Sequence, residues 1–517
     1  MADIATMRAS RKASLTDGQQ IVVSGHTRAD DGGGGTFVWQ ADSSTPVDGG
    51  LVFDADERGP GRWKRIYSGP VDSRWFGARG DGTANDAPAI NAAIAAGKQV
   101  TTPAGTYRCT TAIMPVTNST LGGHAQDRFS QNNPGATVIE SSAARIIDLG
   151  ASGTHTAVLH DLHLKPVTPD RAGSYGLYGV NPTFLKADDV VIRDLAVGVY
   201  MEKSQQHTYR RCYIRACGRG MHFAAQPGTY NVDWFNNLIS IEDSTIIASS
   251  AGPNIDFQGQ GLHLKGCDIS GIANSGTRAS VRIRANSQDV MIESFYFEPA
   301  TGQRAGGDVF LCQGGTTRIN GGFCSGGAPG ARVANVVRAS GGAIVIVEGI
   351  KGYDYFDALV SADGEGTLVY VMPGSFSGPM AATRRFVQTN GGKVIELSLD
   401  EGEFPVTLAG CTTTPTGTVR YSRHGRVVTL LIPGLTGTSN SMAAILTGLP
   451  AALRPGTTQF VAGFNVVDNG VNYAGGAQVT QAGEVRLFKA STMGTTLFAT
   501  SGVKGIQGTQ VLHYTLY

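Results

Sequence analysis

Residues 71–112 read VDSRWFGARGDGTANDAPAINAAIAAGKQVTTPAGTYRCTTA, and this stretch decides how the rest of the chain is organised. Asp86 follows a turn-rich segment and can accept backbone N–H groups at a helix start, with a proline in the first turn. Ile90 and Ile94 then fall four residues apart among alanines, and Gly97 ends the segment as a C′ glycine would. The pattern predicts a short helix with one narrow apolar stripe.

A β run broken by a tight turn follows the helix, because Pro103 and Gly105 separate Val100 from Tyr107. A helix that blocks one end of a stack of strands, with short strands directly after it, is how a parallel β-helix begins. The blocks WFGARGDGTANDAPAINAAI and VTTPAGTY resemble the opening motif of the pectate-lyase-like β-helix superfamily, as found in tailspike proteins of tailed bacteriophages. The resemblance covers about a tenth of the chain and implies an all-β protein with a right-handed parallel β-helix.

Residues 1–70 are expected to form a small β unit ahead of this motif. Strands are predicted over 20–23 and 36–40, with a glycine run at 32–35 before the second. The glycine run lacks the features of a phosphate loop, since no Gly-Lys-Ser/Thr follows it and no helix begins there. The order DGGGGTFVW and then GRWKR resembles the β unit that precedes the β-helix in many tailspikes, which implies attachment to another phage tail or baseplate protein.

One irregular unit recurs between residues 101 and 374, with apolar residues alternating around a single small or acidic residue. This alternation predicts two short strands joined by a corner, and copies about 17 to 33 residues apart suit the coils of a β-helix. The β-helix is therefore expected over 71–400, with a cap segment at 71–98. The corner residues tolerate unusual backbone angles and are expected to be structural: Asp161, Asp194, Asp243, Gly266 and Ser294.

Residues 404–517 are expected to form a C-terminal β-sandwich, because Thr- and Val-rich runs at hairpin spacing alternate with glycine-rich turns. His424 and Gly425 mark one hairpin turn. The run LPAALRP at 449–455 resembles a segment of C-terminal modules in phage tail proteins. No Ser-Lys or Ser-His signature for self-cleavage stands out, so this unit is expected to remain attached and to serve trimerisation or glycan contact.

The composition argues against several classes of partner. A net charge of +1 over 517 residues gives no electrostatic reason to bind nucleic acid. The N-terminus lacks an apolar signal segment and no apolar run approaches a membrane span, so we expect synthesis in the host cytoplasm and no membrane insertion. Seven cysteines without a C-x-x-C pair predict buried free thiols, and neither they nor the histidines offer a metal or cofactor site.

Aligning the recurring units places outward-facing residues in columns along the β-helix. The first column is expected to contain His160, Arg193, Arg210, Glu242, Lys265 and Glu293. Glu242 and Glu293 then lie two rungs apart, about 9.6 Å, near the separation at which an inverting glycosidase holds a water between its acid and its base. The alternative is a solvent-exposed ladder of ion pairs through Lys265.

The second column is expected to contain His163, Ala196, Tyr213, Thr245, Asp268 and Tyr296. An acid between tyrosines on a flat sheet face is suited to sugar rings, which pack on aromatic groups while the carboxylate binds hydroxyls. An insertion at 224–237 is expected to overhang this region with Tyr230, Asp233 and Trp234. An exposed tryptophan indicates either a sugar ligand or a neighbouring subunit.

The resemblance implies a tailspike of the phage virion, an elongated homotrimer that recognises and cleaves a bacterial surface polysaccharide, O-antigen or capsule, during host adsorption. Endo-glycoside hydrolysis requires one protonated and one ionised carboxyl group. The candidate catalytic residues are Asp233, Glu242, Asp268 and Glu293. The candidate substrate-binding residues are Trp234, Tyr230, Tyr213, Tyr296 and Arg210.

Two alternative functions stay open at this point. A polysaccharide lyase would use a base such as Lys, His or Tyr, for which His207, Arg210 and Tyr213 are candidates. A non-cleaving receptor-binding tail protein of the same fold would keep the aromatic residues and leave the acids in ion pairs. A secreted pectinase-like enzyme is disfavoured by the missing signal segment.

Overall fold

The structure is a computed structural model that describes residues 1–55, 58–124, 135–150, 155–169, 171–224, 236–247, 251–272, 279–299, 306–327, 332–397, 399–490 and 497–516. Its contacts divide the chain into two units. The first contains residues 1–371 and 375–395, and the second contains residues 372–374 and 396–517.

The first unit opens with a small antiparallel sheet on the short helix Ile4–Arg8. Its strands, in spatial order, are Gln20–Val23, Gly35–Gln40, Arg62–Ile66 and Val52–Phe53. Trp39 and Trp63 pack together in its core with ring centroids 5.2 Å apart. The glycine run has a structural explanation, because Arg65 donates hydrogen bonds to the carbonyl oxygens of Gly33 and Gly34.

A parallel β-helix follows, built from three columns of hydrogen-bonded parallel strands that we name sheets A, B and C. From Thr120 onward, each complete coil passes through the three sheets in that order. Three long strands, Gln288–Phe297, Thr316–Ser325 and Ile344–Asp363, continue from one sheet into the next. The predicted fold class, an all-β chain with a parallel β-helix, is confirmed.

Sheet A contains Val71–Asp72, Gln99–Thr101, Thr120–Gly122, Val158–His160, Lys186–Asp188, Gln205–Arg210, Asn236–Glu242, Gly259–Lys265, residues 288–293, 316–320 and 344–348, Leu368–Val371 and Lys393–Glu396. Sheet B contains Asp81–Asn85, Gly105–Cys109, Thr137–Ser141, His163–Pro166, Val191–Arg193, Tyr213–Arg215, Thr245–Ile247, a bridge at Asp268, residues 295–297, 322–325 and 350–353, and Phe376–Ser377. Sheet C contains Arg145–Asp148, Arg171–Val180, Leu195–Glu202, Arg219–Ala224, Ile255–Phe257, Ala279–Ile283, Asp308–Cys312, Val333–Ser340, residues 354–363 and Met380–Thr389.

The interior of the β-helix is a set of apolar ladders in which each side chain stacks on its neighbour one rung away. The sheet B ladder is fully buried and contains Leu164, Ile192, Ile214, Ile246, Ile269 and Phe297. Branched and aromatic side chains suit such stacking, and each contributes about 1.5–3 kcal/mol by burial. All seven cysteines are free and buried, as the sequence predicts.

The corner between sheets A and B is one residue in the left-handed backbone conformation. The φ angles of Asp161, Asp243 and Ser294 are +55°, +47° and +54°, so the prediction of structural corner residues is confirmed there. Asp194, φ +60°, occupies the corner between sheets B and C instead. The sheet A to B corner of that coil is Asp189, φ +54°.

The cap helix spans Ala87–Gly97, and two details of its ends differ from expectation. Asp86 does not cap the helix with its side chain, because its carboxylate accepts the N–H groups of Arg79 and Gly80 at 2.7 and 3.1 Å. The left-handed residue that ends the helix is Lys98, φ +59°, while Gly97 remains helical. A Cβ at Gly97 would lie 2.3 Å from a methyl carbon of Val71, so the glycine permits close packing.

The second unit is an antiparallel sheet of ten strands that encloses its own core. The strands are Leu399–Ala409, Thr416–His424, Val427–Ile432, Leu435–Thr438, Ile445–Thr447, Gln459–Asp468, Val471–Val479, Val485–Phe488, Val503–Ile506 and Gln510–Thr515. Short 3-10 helices occur at Lys12–Ser14, Ser73–Phe76 and Ala451–Leu453. Within the described ranges, no helix has the length and apolar character required to cross a membrane.

Candidate functional site

Sheet A carries a ladder of charged side chains at the ends of its strands, one residue before each corner. The register places Glu242, Lys265 and Glu293 on successive rungs, as the sequence alignment predicts. The prediction of Arg193 in this ladder is wrong, because Asp188 pairs with Arg210 there and Arg193 pairs with Arg215 in sheet B. The wrong prediction arises because that coil has two aspartates in the left-handed conformation, Asp189 and Asp194, and the recurring sequence unit matches the second of them.

The two glutamates of this ladder have separate polar partners. Ser240 Oγ donates a hydrogen bond of 2.7 Å to Glu242, and His263 Nε2 lies 3.0 Å from Glu293 Oε2. In the part of the chain that the structure describes, Lys265 forms no ion pair. The carboxylates are two rungs apart, about 9.6 Å along the stack. The ladder therefore presents two partly exposed carboxylates with a lysine between them.

The outward ladder of sheet B passes through Tyr213, Thr245, Asp268 and Tyr296, as predicted, but Val191 and not Ala196 precedes Tyr213. Its next rung is Phe323, and Tyr353 lies one rung further, two residues along the strand. The Tyr296 ring stacks on Phe323 at 5.2 Å and 16°, and Phe323 contacts Tyr353 at 5.2 Å. Tyr296 is 41% exposed. We name these three side chains the aromatic stack.

Two predicted members of this face have structural roles. Tyr213 is only 6% exposed and its hydroxyl accepts a hydrogen bond from Arg215, so the prediction of an accessible sugar-binding ring is wrong in this structure. Asp268 accepts hydrogen bonds from the backbone N–H and the hydroxyl of Ser270, which fixes a turn. Asp268 therefore has fewer acceptor positions left for a substrate.

The remaining predicted residues divide into those described and those not. Arg210 lies on sheet A, where it forms an ion pair of 2.5 Å with Asp188. Tyr230, Asp233 and Trp234 lie outside the described residues.

The lyase candidate His207 is unsuitable as a surface base. It is buried in the β-helix, where its ring nitrogens lie 3.1 Å from the Pro182 carbonyl oxygen and 3.1 Å from the Tyr209 hydroxyl. Burial lowers the pKa of His207 to about 4, so the ring is neutral and enclosed. Its position therefore argues against His207 as the base of a lyase.

Sheet C carries a polar cluster that the sequence reasoning missed. Tyr178 and Tyr200 stack at 5.3 Å and 8°, and Arg145 lies 3.6 Å above the Tyr178 ring. On later rungs, Asp256 is almost fully buried and accepts two hydrogen bonds from Arg284, at 2.5 and 2.7 Å. Tyr178, Tyr200, His222 and Asp256 lie in one column of the strand register, so this face combines an aromatic platform with a buried ion pair.

The sequence contains a recurring pattern that predicts this outward column of sheet C. The triplets Leu-Tyr-Gly, Val-Tyr-Met, Met-His-Phe and Ile-Asp-Phe recur at 177–179, 199–201, 221–223 and 255–257. Each puts one polar or aromatic side chain between two inward residues. Aligning these triplets would have predicted the outward column Tyr178, Tyr200, His222 and Asp256.

Further along sheet C, the outer surface forms a hollow of about 260 Å³. Polar side chains dominate its lining: Asn335, Arg338, Asp357, Ser361, Asp363 and Arg384. Asp308 lies one rung before it, because Asp308 pairs with Asn335 in the strand register. We name this feature the sheet C hollow.

No cation site is evident among the side chains that the structure describes, since they bring no three metal-ligating groups together. The described faces instead combine carboxylates, arginines and exposed aromatic rings. Such surfaces bind sugars through hydroxyl hydrogen bonds and ring packing.

Comparison with known proteins gives two matching sequence families. Residues 1–68 match the phage tail protein small four-stranded beta-sheet domain, and residues 71–163 match the family rhamnogalacturonase A/epimerase, pectate lyase-like. A segment of 77 residues is 40% identical to the Mu-like prophage FluMu defective tail fiber protein of Haemophilus influenzae. That segment covers 15% of this chain and 12% of the relative, so the chain matches about an eighth of the relative's length.

Solved structures share the fold at low sequence identity. The enzymatically active domain of tailspike protein 2 from bacteriophage CBA120 is similar over 100% of this chain and 92% of its own, with TM-score 0.54 and 12% identity. The tailspike of Acinetobacter phage vb_AbaP_AS12 is similar over 96% of this chain and 94% of its own, with TM-score 0.51 and 12% identity. The chain thus contains a region that matches a phage tail protein domain and a region that matches a pectate-lyase-like family, and it shares the parallel β-helix fold of phage tailspike proteins.

Proposed function

We propose that this protein is a phage tailspike that binds a bacterial surface polysaccharide, O-antigen or capsule, and depolymerises it by endo-glycoside hydrolysis during host adsorption. The observation that carries the proposal is the aromatic stack beside the carboxylates of sheet A. Tyr296 follows Glu293 by three residues around one corner, so an aromatic ring and an acid face the solvent in the same coil. A glycan that packs on the rings would place its hydroxyls near that acid.

Glu242 and Glu293 are the first candidate pair for the chemistry. Their two-rung separation, about 9.6 Å, lies at the upper end of the range for an inverting pair. In the strand register, Lys265 lies on the rung between the two glutamates.

The same lysine favours a second candidate function, a non-cleaving receptor-binding tail protein. In that case the Glu-Lys-Glu ladder serves only as a charged surface beside the aromatic stack. Binding without product release distinguishes this function from hydrolysis.

The other assignments in the proposal concern assembly. Residues 1–68 match a phage tail domain, which supports a location in the virion and attachment of this region to another tail or baseplate protein. We also propose that the protein assembles as a homotrimer and that residues 404–517 serve trimerisation or glycan contact. Sedimentation of the full chain tests the trimer.

The function is tested with purified full-length protein and surface polysaccharides from a panel of hosts. Binding, new reducing ends and ultraviolet absorbance are followed together. Reducing ends without absorbance support hydrolysis, whereas absorbance from unsaturated products indicates a lyase. A glycan that binds and yields no product supports the receptor-binding function. Glu242→Gln and Glu293→Gln then test the sheet A pair.

A further inference from the structure

The sheet C hollow exists because of one small residue in a ladder of polar ones. The register aligns Asp308, Asn335, Ala358 and Arg384 on successive rungs. The next residues in three of these strands, Val309, Val336 and Leu359, belong to the hydrophobic core of the β-helix. Asn335 is partly exposed and Arg384 is exposed, so the polar ladder faces outward. Ala358 leaves room between Asn335 and Arg384 that a longer side chain would fill.

Asp308 lies one rung before the hollow, next to its lining residue Asn335, in a setting unlike that of the sheet A glutamates. It is 5% exposed, accepts a 2.6 Å hydrogen bond from Asn335 Nδ2, and lies 4.0 Å from Arg338 Nη1. Burial raises the pKa of Asp308 to about 6, although Asn335 and Arg338 oppose the shift. A carboxyl in this setting holds a proton under mildly acidic conditions.

Asp357 provides the complementary group. It lies beside Ala358, two rungs from Asp308, which is about 9.6 Å along the stack. Its side chain lines the hollow and is partly exposed. Among the described residues, it has no hydrogen-bond or ion-pair partner. Asp357 is therefore an accessible carboxylate that can hold a water molecule.

The charges around the hollow are balanced. Arg338 and Arg384 face Asp357 and Asp363, and Ser361 adds a hydroxyl. The described charges that line this space, two positive and two negative, therefore sum to zero. Such a surface offers hydrogen-bond donors and acceptors without attracting a charged group, which suits the hydroxyls of a neutral sugar unit.

We propose that the sheet C hollow binds a neutral sugar unit of the polysaccharide and is the site of its hydrolysis, with Asp308 as the acid and Asp357 as the base. The inference rests on the proposed function and assigns its chemistry to the sheet C hollow in place of the sheet A pair, Glu242 and Glu293. The Asp308 proton moves to the glycosidic oxygen as its bond to the anomeric carbon breaks. A water oxygen bonds to that carbon and gives its proton to Asp357. Solvent then returns a proton to Asp308 and removes one from Asp357.

Asp308→Asn and Asp357→Ala test the two roles by release of reducing ends from a bound polysaccharide. Each is expected to lose at least about 100-fold in rate while it still binds the glycan. Added azide is expected to restore turnover in Asp357→Ala but not in Asp308→Asn, because a small anionic nucleophile needs no base. The product of the rescued reaction is a glycosyl azide. A structural role for Asp357 would not produce that rescue.

Two further variants keep the test decisive. Ala358→Leu occupies the hollow while both carboxyl residues are kept and is expected to abolish cleavage, so it tests the site even if Asp308→Asn fails to fold. Glu365→Gln, an exposed acid on the turn after the same strand, is the matched control and is expected to cleave normally.

The outcomes separate the two proposals. Wild-type rates in Asp308→Asn and Asp357→Ala overturn the sheet C site and leave the proposed hydrolysis standing. Absence of product from wild-type protein on every glycan that it binds overturns hydrolysis itself, and the sheet C site with it. Loss in Asp308→Asn and Asp357→Ala, azide rescue and a normal Glu365→Gln support the sheet C site.

Discussion

The buried ion pair of sheet C gives a quantitative prediction about stability. Asp256 is 1% exposed, and Arg284 donates two hydrogen bonds to it, at 2.5 and 2.7 Å. Asp256→Asn leaves the Arg284 charge partly buried without its counter-charge. Breaking a buried pair from one side costs about 3–5 kcal/mol in the free energy of unfolding. The expected loss is therefore a large part of the stability of a typical domain.

A double variant distinguishes the contribution of the Asp256–Arg284 ion pair from a simple loss of packing. Asp256→Asn combined with Arg284→Met removes both charges, so the double variant is expected to recover about 1–3 kcal/mol relative to Asp256→Asn alone. Asp188→Asn on sheet A is the matched control, because Asp188 forms an ion pair of the same length, 2.5 Å, with the exposed Arg210. That control is expected to shift the unfolding midpoint little.

The assay is guanidinium chloride unfolding of the full chain, with midpoint and slope compared among these variants. The ion pair also predicts the direction in which stability changes with pH. Burial would raise the pKa of Asp256, but the hydrogen bonds and charge of Arg284 outweigh it and hold the pKa below its usual value. The stabilisation is therefore present above the unfolded-state pKa and disappears as the pH falls through the folded-state value. This reasoning would be refuted if Asp256→Asn and Asp188→Asn had equal unfolding midpoints and if the effects of Asp256→Asn and Arg284→Met simply added in the double variant.

Three further predictions concern the corners, the aromatic stack and the proposed acid. Gly349 has φ +66°, so Gly349→Val is expected to destabilise the protein by about 1–2 kcal/mol in the same unfolding assay. Phe323→Ala and Tyr353→Ala are expected to weaken polysaccharide binding several-fold in calorimetry without changing the unfolding midpoint. Reducing-end release is expected to fall as the pH rises above about 6, where Asp308 loses its proton. The titratable groups around the hollow are Arg338, Asp357, Asp363 and Arg384. A pH profile flat from 5 to 8 would contradict the role of Asp308.

The fold is predictable from the sequence because its signals are local and repeated. The motif at 71–112 and the corner residues each constrain the backbone directly, and the register of Glu242, Lys265 and Glu293 follows from three similar copies. The alignment fails at Asp189 and Asp194, where two left-handed aspartates five residues apart both satisfy the pattern.

The candidate site is less predictable because accessibility and proton affinity depend on the packed structure. Tyr213 has the outward register that the sequence predicts and is nevertheless covered. Asp308 opens the run Asp-Val-Phe-Leu-Cys and resembles an ordinary residue at a strand start, yet burial gives it an unusual pKa. Neither property is encoded in the spacing of neighbouring residues.

Product analysis on one polysaccharide that demonstrably binds tests the central claim most directly. The wild-type protein is incubated with the glycan while reducing ends and ultraviolet absorbance are measured in the same sample. The account predicts new reducing ends with no gain in absorbance. A bound glycan that remains intact, or reducing ends that appear together with absorbance, would contradict endo-glycoside hydrolysis.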